Sequence, residues 1–500
     1  TMAAFVSEGM FEVTPATVWR PADMRGGGAV KAVAAGGGTV VVGMSDGRVI
    51  RWTTSSDEEG GGVAPEVLEM ERKGPETRVH SVFVDPTGFH AIVSVLWAGT
   101  AMTFYAPTVR TARVGGPALR ELPGLSKMLV ESVAWNVAAA SDDSAVGPFL
   151  VGTTNGRVYE VRIAAKAQAT CEKVWESPDG VAIVSLRLEQ FTVSRPRGGP
   201  TPRYLAMAMT LNPQRVYQFV GGPTLEELFR SAPVMADVEA PGGGGAASAD
   251  TLRLAFHTTS PSAATALTAS GGGGDDTPHA DTFAVMTPVG LFHGRLSFPV
   301  PATTLAVAAG QDARAIVTDV ALLAYPHVPS SSSVSGGVGG GGGGSGGKYG
   351  LPGGGLGGSG GGRLTTGGSR GGGGGGGGGG GVGGSGGGGG DGGELPIGLA
   401  ITDYHYVLLY RHRFVAVSRV SYAVVFEAAL PEDMYGTLRG MVVDAGFAAK
   451  PAERRRHGGC VWLYSDRNLF RLVAKDEERV RGGAPEVAAA CGARCLVRWT

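Results

Sequence analysis

Two stretches of this chain are near copies of each other, and each has the form of a β-hairpin. Val40 to Trp52 reads VVVGMSDGRVIRW and Leu150 to Ile163 reads LVGTTNGRVYEVRI, so both contain G-x-[ST]-[DN]-G-R-V. Asp46-Gly47 and Asn155-Gly156 stand where a type I′ turn needs two residues that accept positive φ. The residues on either side are rich in Val, Tyr and Trp, which suit a pleated, half-buried surface. Looser versions occur at Val82 to Val95 (turn Asp85-Pro86-Thr87-Gly88), Tyr204 to Phe219 (Asn212-Pro213) and Phe283 to Leu296 (Pro288-Val289-Gly290). Two more lie at Leu399 to Val417 and at Val461 to Val473, the last turning around Ser465 to Asn468. Helical spacing of apolar residues is rare between them, so the chain is all-β.

Seven hairpins with irregular gaps predict a WD40-like β-propeller of seven blades over residues 1–480. A four-stranded blade takes roughly 40 to 50 residues, so seven need about 280 to 350 and leave the balance for insertions. Two β-sandwich domains would also give short strands and turns, but they leave the repeated motif without a reason. Of the 87 glycines, 41 fall in the 58 residues from Gly336 to Gly393, and the remainder of the chain is ordinary in glycine. Residues 329–394 therefore offer too little apolar surface to offset the entropy of ordering, and are expected to form a disordered loop between two blades. Shorter excursions at 55–62, 241–249 and 270–276 are tolerable because loop-closure entropy grows slowly with length. The ordered unit is expected to end near Arg479, with 481–500 as a tail.

The charge balance is even, 43 Lys+Arg against 44 Asp+Glu, so no bulk field draws in nucleic acid or anionic lipid. The most apolar stretch, Ile397 to Tyr410, is interrupted by Asp403 and His405, which argues against a membrane span. Thr1 to Val13 shows neither a basic nor an apolar region of a signal peptide. Cys171, Cys460, Cys491 and Cys495 have the spacing of neither a disulfide framework nor a zinc knuckle. A reducing, cytoplasmic location with at most peripheral membrane contact follows.

Candidate chemistry is sparse. Gly342 to Lys348 spells a phosphate-binding loop and Gly357 to Gly361 a nucleophile elbow around Ser359, but both arise from glycine composition and lack the flanking strand and helix. Asp403 and His405 would share one face of a strand, within hydrogen-bonding reach inside a blade. His80, His90, His257 and His293 stand singly, without carboxylates or Cys at ligand spacing. No catalytic residue, cofactor fingerprint or metal site emerges, and an enzyme is not expected. The basic run Arg454, Arg455 and Arg456, followed by His457, is the candidate contact for an acidic partner or lipid headgroups, although a solvated loop is the simpler reading. Trp52, Trp97, Trp135, Trp175 and Trp462 lie in or beside strands and read as blade core. A propeller hydrolase or lyase with a channel site, and a coat-like or nuclear-pore-like scaffold, are the alternative readings.

Four stretches carry a more specific signal. They are Val79 to Gly88 (VHSVFVDPTG); LVESVAWN from Leu129 with GPFLVGTTNGRVYEVRI from Gly147; LAITDYHYVLLY from Leu399 with Val424 to Glu427; and WLYSDRNLFRLVAKDEERV from Trp462. In order and spacing they resemble the amino-terminal domain of the vacuolar protein sorting-associated protein 18, or deep-orange, family. That resemblance implies a propeller at the front of a longer scaffold subunit of the HOPS and CORVET tethers, followed by an α-solenoid and a zinc-binding RING domain. It implies other class C tether subunits as partners, Rab GTPases and SNAREs reached through the complex, and a place on late endosome and vacuole or lysosome membranes. The sequence stops short of the solenoid and RING, so neither zinc binding nor ubiquitin-ligase activity carries over. Arg481-Gly482-Gly483-Ala484-Pro485 replaces the expected helical continuation, which reads as a truncated or misread gene sequence, and the glycine tract has no counterpart in the family.

Overall fold

The structure, a computed structural model, describes residues 10–16, 28–54, 65–68, 70, 76–107, 119–139, 146–163, 169–195, 198–210, 213–230, 233–237, 254–258, 280–296, 317–326, 394–444 and 460–475. The chain divides into one unit of residues 1–326 with 394–500 and another of 327–393. The second unit and the tail 481–500 lie outside the described residues, and with them the expected disordered loop.

The first unit is a seven-bladed β-propeller of four-stranded antiparallel sheets. Blades 1 to 6 follow the chain, running from Val30–Gly36 to Glu66–Leu68, Thr77–Val84 to Arg120–Glu121, Val130–Ala134 to Ala169–Glu176, Ile183–Arg195 to Val234–Asp237, Leu254–His257 to Val317–Leu323, and Gly398–Ile401 to Val424–Ala429. Blade 7 takes three strands from the end, Leu438–Val443, Val461–Ser465 and Leu469–Ala474, and its outermost strand from the beginning, Phe11–Pro15. Phe11 is opposite Ala474 and Pro15 opposite Phe470, so this pairing closes the ring. The first strands of successive blades touch one another around the ring and line its axis. Each of the seven hairpins expected from the sequence falls in a different blade.

The repeated motif has a packing explanation beyond the turn. A Cβ on Gly43 would lie 2.4 Å from Val79 Cγ1, and one on Gly152 would lie 2.8 Å from Ile183 Cγ2. In both cases the innermost strand of the next blade stands in the way, joined at Gly152 by Ser132 Oγ of its own blade at 2.5 Å, so the first glycine of the motif helps to set how closely two blades approach. The turn differs from the expected type I′. Only the glycines, Gly47 (φ 83) and Gly156 (φ 78), take positive φ, and their N–H groups donate to Met44 O (3.1 Å) and Thr153 O (3.2 Å). This is a type I turn followed by a left-handed glycine, a longer loop with one seat for positive φ instead of two. Asp46 stays out of the left-handed region, where its carboxylate accepts from Arg48 N (3.2 Å) and Arg48 Nε (2.7 Å).

A second repeat, not anticipated from the sequence, marks the innermost strands. Strand pairing skips one residue at Lys31, His80, Glu131, Val184 and Arg439 in blades 1, 2, 3, 4 and 7. Each sits in the second position of Val30-Lys31-Ala32, Val79-His80-Ser81, Val130-Glu131-Ser132, Ile183-Val184-Ser185 and Leu438-Arg439-Gly440. The bulge turns the serine after it toward the next blade. Ser81 Oγ donates to Val130 O and Ser132 Oγ to Ile183 O, both at 2.7 Å, while Ser185 Oγ accepts from Leu254 N at 2.8 Å. Buried bonds of this kind contribute about 1 kcal/mol each and fix the register between blades.

The tryptophans take the core places expected of them. Trp52 meets Trp462 edge-on across the seam of blades 1 and 7, with centroids 5.8 Å apart, and Trp175 of blade 3 packs on Tyr217 and Phe219 of blade 4. The short helix Leu225–Arg230 buries Leu225, Leu228 and Phe229 on that same seam.

Candidate functional site

The polar residues of the innermost strands gather at the two ends of the channel, and they are used differently. At the end where these strands finish, the acidic and amide groups latch one blade to the next. Asp444 Oδ2 of blade 7 accepts from Gly38 N of blade 1 at 3.0 Å. Asn136 Nδ2 of blade 3 donates to Gln190 Oε1 of blade 4 at 2.8 Å. Glu189 Oε1 of blade 4 accepts from Ala280 N beside blade 5 at 3.3 Å and from Arg187 Nε at 2.7 Å. Asp403 Oδ1 of blade 6 accepts from His257 Nε2 of blade 5 at 2.9 Å. Asp85 differs in serving the turn of its own blade 2, where it accepts from His90 N at 2.7 Å and from Thr87, and burial pushes its carboxyl above the usual carboxylate range. Asp85, Asn136, Glu189, Asp403 and Asp444 are buried and Gln190 is half-buried, so the lone pairs of the four acids are not presented to solvent.

The seam between blades 5 and 6 carries the densest polar set. Arg419 Nη1 donates to Thr402 O (2.7 Å) and Asp403 O (2.9 Å), and its Nη2 donates to Thr282 Oγ1 (2.5 Å) and lies 3.9 Å from Asp281. The guanidinium thus ties the turns of both blades together. The His293 ring lies 5.2 Å from that of Tyr406 and 5.0 Å from that of Tyr422. Burial, with Arg419 nearby, holds the imidazole below its ordinary value, so it is neutral at pH 7.

The histidines therefore differ from their expected isolation. His257 has Asp403, and His80 Nε2 lies 2.9 Å from Glu131 Oε1 on the next blade. These partners are 146 and 51 residues away, so local spacing gave no sign of them. Asp403 reaches across the seam to His257, and the His405 ring packs edge-on against Phe11 at 5.4 Å. His90 Nδ1 is 2.8 Å from the Tyr105 hydroxyl, whose pKa burial pushes up to about 12. Among the described residues no group of three His, Cys, Asp or Glu is placed to hold a metal ion, and no helix is long and apolar enough to cross a membrane. Arg454, Arg455 and Arg456 lie outside the described residues, in the connection whose two ends meet where Asp444 N donates to Cys460 O at 2.8 Å.

At the opposite end, where the innermost strands begin, Lys31, Arg78, His80 and Arg439 are exposed, with Glu131 buried against His80.

Comparison with known proteins agrees with this architecture. The family model for the Pep3/Vps18/deep orange beta-propeller domain matches residues 10–474, from the closing strand to the end of blade 7. The chain belongs to that family. Its similar proteins include the vacuolar sorting protein 18 of Arabidopsis thaliana, 33% identical over 210 residues, which are 41% of this chain and 19% of that protein. The vacuolar protein sorting-associated protein 18 homolog of Danio rerio is 31% identical over 104 residues, 20% of this chain and 9% of that protein. The matched regions thus span a fifth or less of these relatives' length.

Proposed function

We propose that this chain is the propeller of a vacuolar sorting subunit and acts as a non-catalytic scaffold in the HOPS and CORVET tethers. The observation that carries this reading is the family match over residues 10–474 of a ring whose channel-end carboxylates are committed to blade-to-blade bonds. A rigid disc held this way exposes turns on two faces and can meet several proteins at once. Its partners in this reading are the other class C tether subunits and, through them, Rab GTPases and SNAREs. The protein would act peripherally on late endosome and vacuole or lysosome membranes, with Arg454, Arg455 and Arg456 as a candidate contact to acidic protein or lipid.

A propeller hydrolase or lyase would need acids or histidines converging on open solvent in the channel. The buried, occupied state of Asp85, Glu189, Asp403 and Asp444 weighs against it. The test is removal of the native-length protein from its own cells. Stalled delivery of vacuolar cargo and accumulated unfused late endosomes are expected, and normal cargo delivery with normal vacuoles would overturn the proposal.

A further inference from the structure

The five skipped residues of the innermost strands occupy equivalent places, and the 2.9 Å approach of His80 to Glu131 shows that neighbours at this level reach each other across a seam. Around the axis the order is Arg439 on blade 7, Lys31 on blade 1, His80 on blade 2, Glu131 on blade 3 and Val184 on blade 4. Two blades in succession therefore carry a cation where the next seam pairs a histidine with an acid. Arg78, two residues before His80, adds a third permanent positive charge on blade 2. Lys31, Arg78 and Arg439 are exposed, and none makes an ion pair or hydrogen bond among the described residues. Of the nearby carboxylates, Asp46 is engaged with Arg48 and Glu131 with His80, and Asp466 lies 3.9 Å from Arg467, while Glu76 and, on the short helix leading into the first strand of blade 7, Glu432 and Asp433 are the exposed acids beside this arc.

The turns of blades 1 and 7 frame the same mouth. Val30 N donates to Asp466 O and Ser45 N to Ala29 O, both at 2.8 Å, which brings the turns at Ser45 and Asp466 to the level where the first strand starts. Cations set on the innermost strands and surrounded by turns are accessible to a narrow extended chain, whereas a flat bilayer meets the turns first. Like charges on the innermost strands of neighbouring blades, none of them ion-paired, repel in the free protein, and an anionic ligand relieves that repulsion.

We propose that the strand-start mouth of the channel, at Lys31, Arg78 and Arg439, is a docking site for an acidic peptide segment of a protein partner. It stands independently of which complex the chain joins.

The experiment titrates the full chain into a fluorescein-labelled polyglutamate peptide and reads anisotropy. Saturable binding is expected at low salt, weakening as ionic strength rises past about 0.15 M, with no binding of a polylysine peptide. The K31E/R439E double variant should weaken binding at least about tenfold, because charge reversal replaces attraction by repulsion. Lys173→Glu, on the outermost strand of blade 3, should leave it unchanged. Should K31E/R439E not fold by circular dichroism, the neutral variants K31Q and R439Q provide the same readout. Polyglutamate binding that is absent, or equal in the Lys31 and Arg439 variants, would overturn the proposal. So would vesicles containing a phosphoinositide that depend on these residues while polyglutamate does not bind.

Discussion

Replacing Phe11 by Ala tests how the ring is closed. The side chain is 1% exposed although it sits on the first described strand, and it contacts blade 6 as well as its own sheet. Its ring lies 5.4 Å from that of His405, 5.7 Å from Phe414 at 78° and 5.5 Å from Phe426, all on blade 6. Truncation removes the ring from this cluster and leaves a cavity walled by rigid β-sheet, for which a loss of about 3 to 5 kcal/mol is expected. That is a large part of the roughly 5 to 15 kcal/mol by which folded domains are stable. Urea unfolding followed by tryptophan fluorescence measures it, and the midpoint should fall while the slope stays constant. Val424→Ala is the control, since Val424 is 48% exposed and its loss should cost no more than about 0.5 kcal/mol. A Phe11→Ala midpoint within about 1 kcal/mol of the parent would refute the reasoning, because the first strand would then contribute nothing to closure.

Three further outcomes follow from the geometry. Gly43→Ala should destabilise by about 1 to 3 kcal/mol through contact with Val79, and the G43A/V79A pair should cost less than the sum of the singles in a double-mutant cycle of thermal unfolding. His293 is held neutral in the folded state and regains its ordinary pKa on unfolding, so its contribution is present above about pH 6.5 and is lost as pH falls through the depressed folded value. His293→Gln should therefore reduce the difference between urea midpoints measured at neutral and acidic pH, and an unchanged difference would contradict this. Burial pushes the Cys171 thiol up to about 11, so iodoacetamide at neutral pH should label this residue only after unfolding, as read by peptide mass spectrometry.

What could be read in advance was whatever repeats locally. Asp46-Gly47 and Asn155-Gly156 announce turns because glycine supplies the one positive φ each turn needs, and the strands beside them are short apolar runs that end at them. The turn class was harder to read, since Asp-Gly and Asn-Gly serve both the type I′ loop and the longer loop found here. The [VI]-x-S bulges at Ser81, Ser132 and Ser185 are also a repeat, but a three-residue pattern with a variable middle position is weak until sheet register aligns it. His80 with Glu131 and His257 with Asp403 were out of reach for another reason. Each pair joins neighbouring blades, so its sequence separation reflects the intervening strands and insertions and carries no motif. The charge arc has the same origin, because Lys31 and Arg78 lie on successive blades and Arg439 joins them only when the last blade meets the first.

The reading of this chain as part of a vacuolar tether is tested most directly by affinity purification of the tagged native-length protein from its own cells, with mass spectrometry of the proteins retained. The account predicts the other class C tether subunits in stable proportion to it. A native-length protein that retains none of them would contradict the account, leaving the propeller fold as all that is shared with the family.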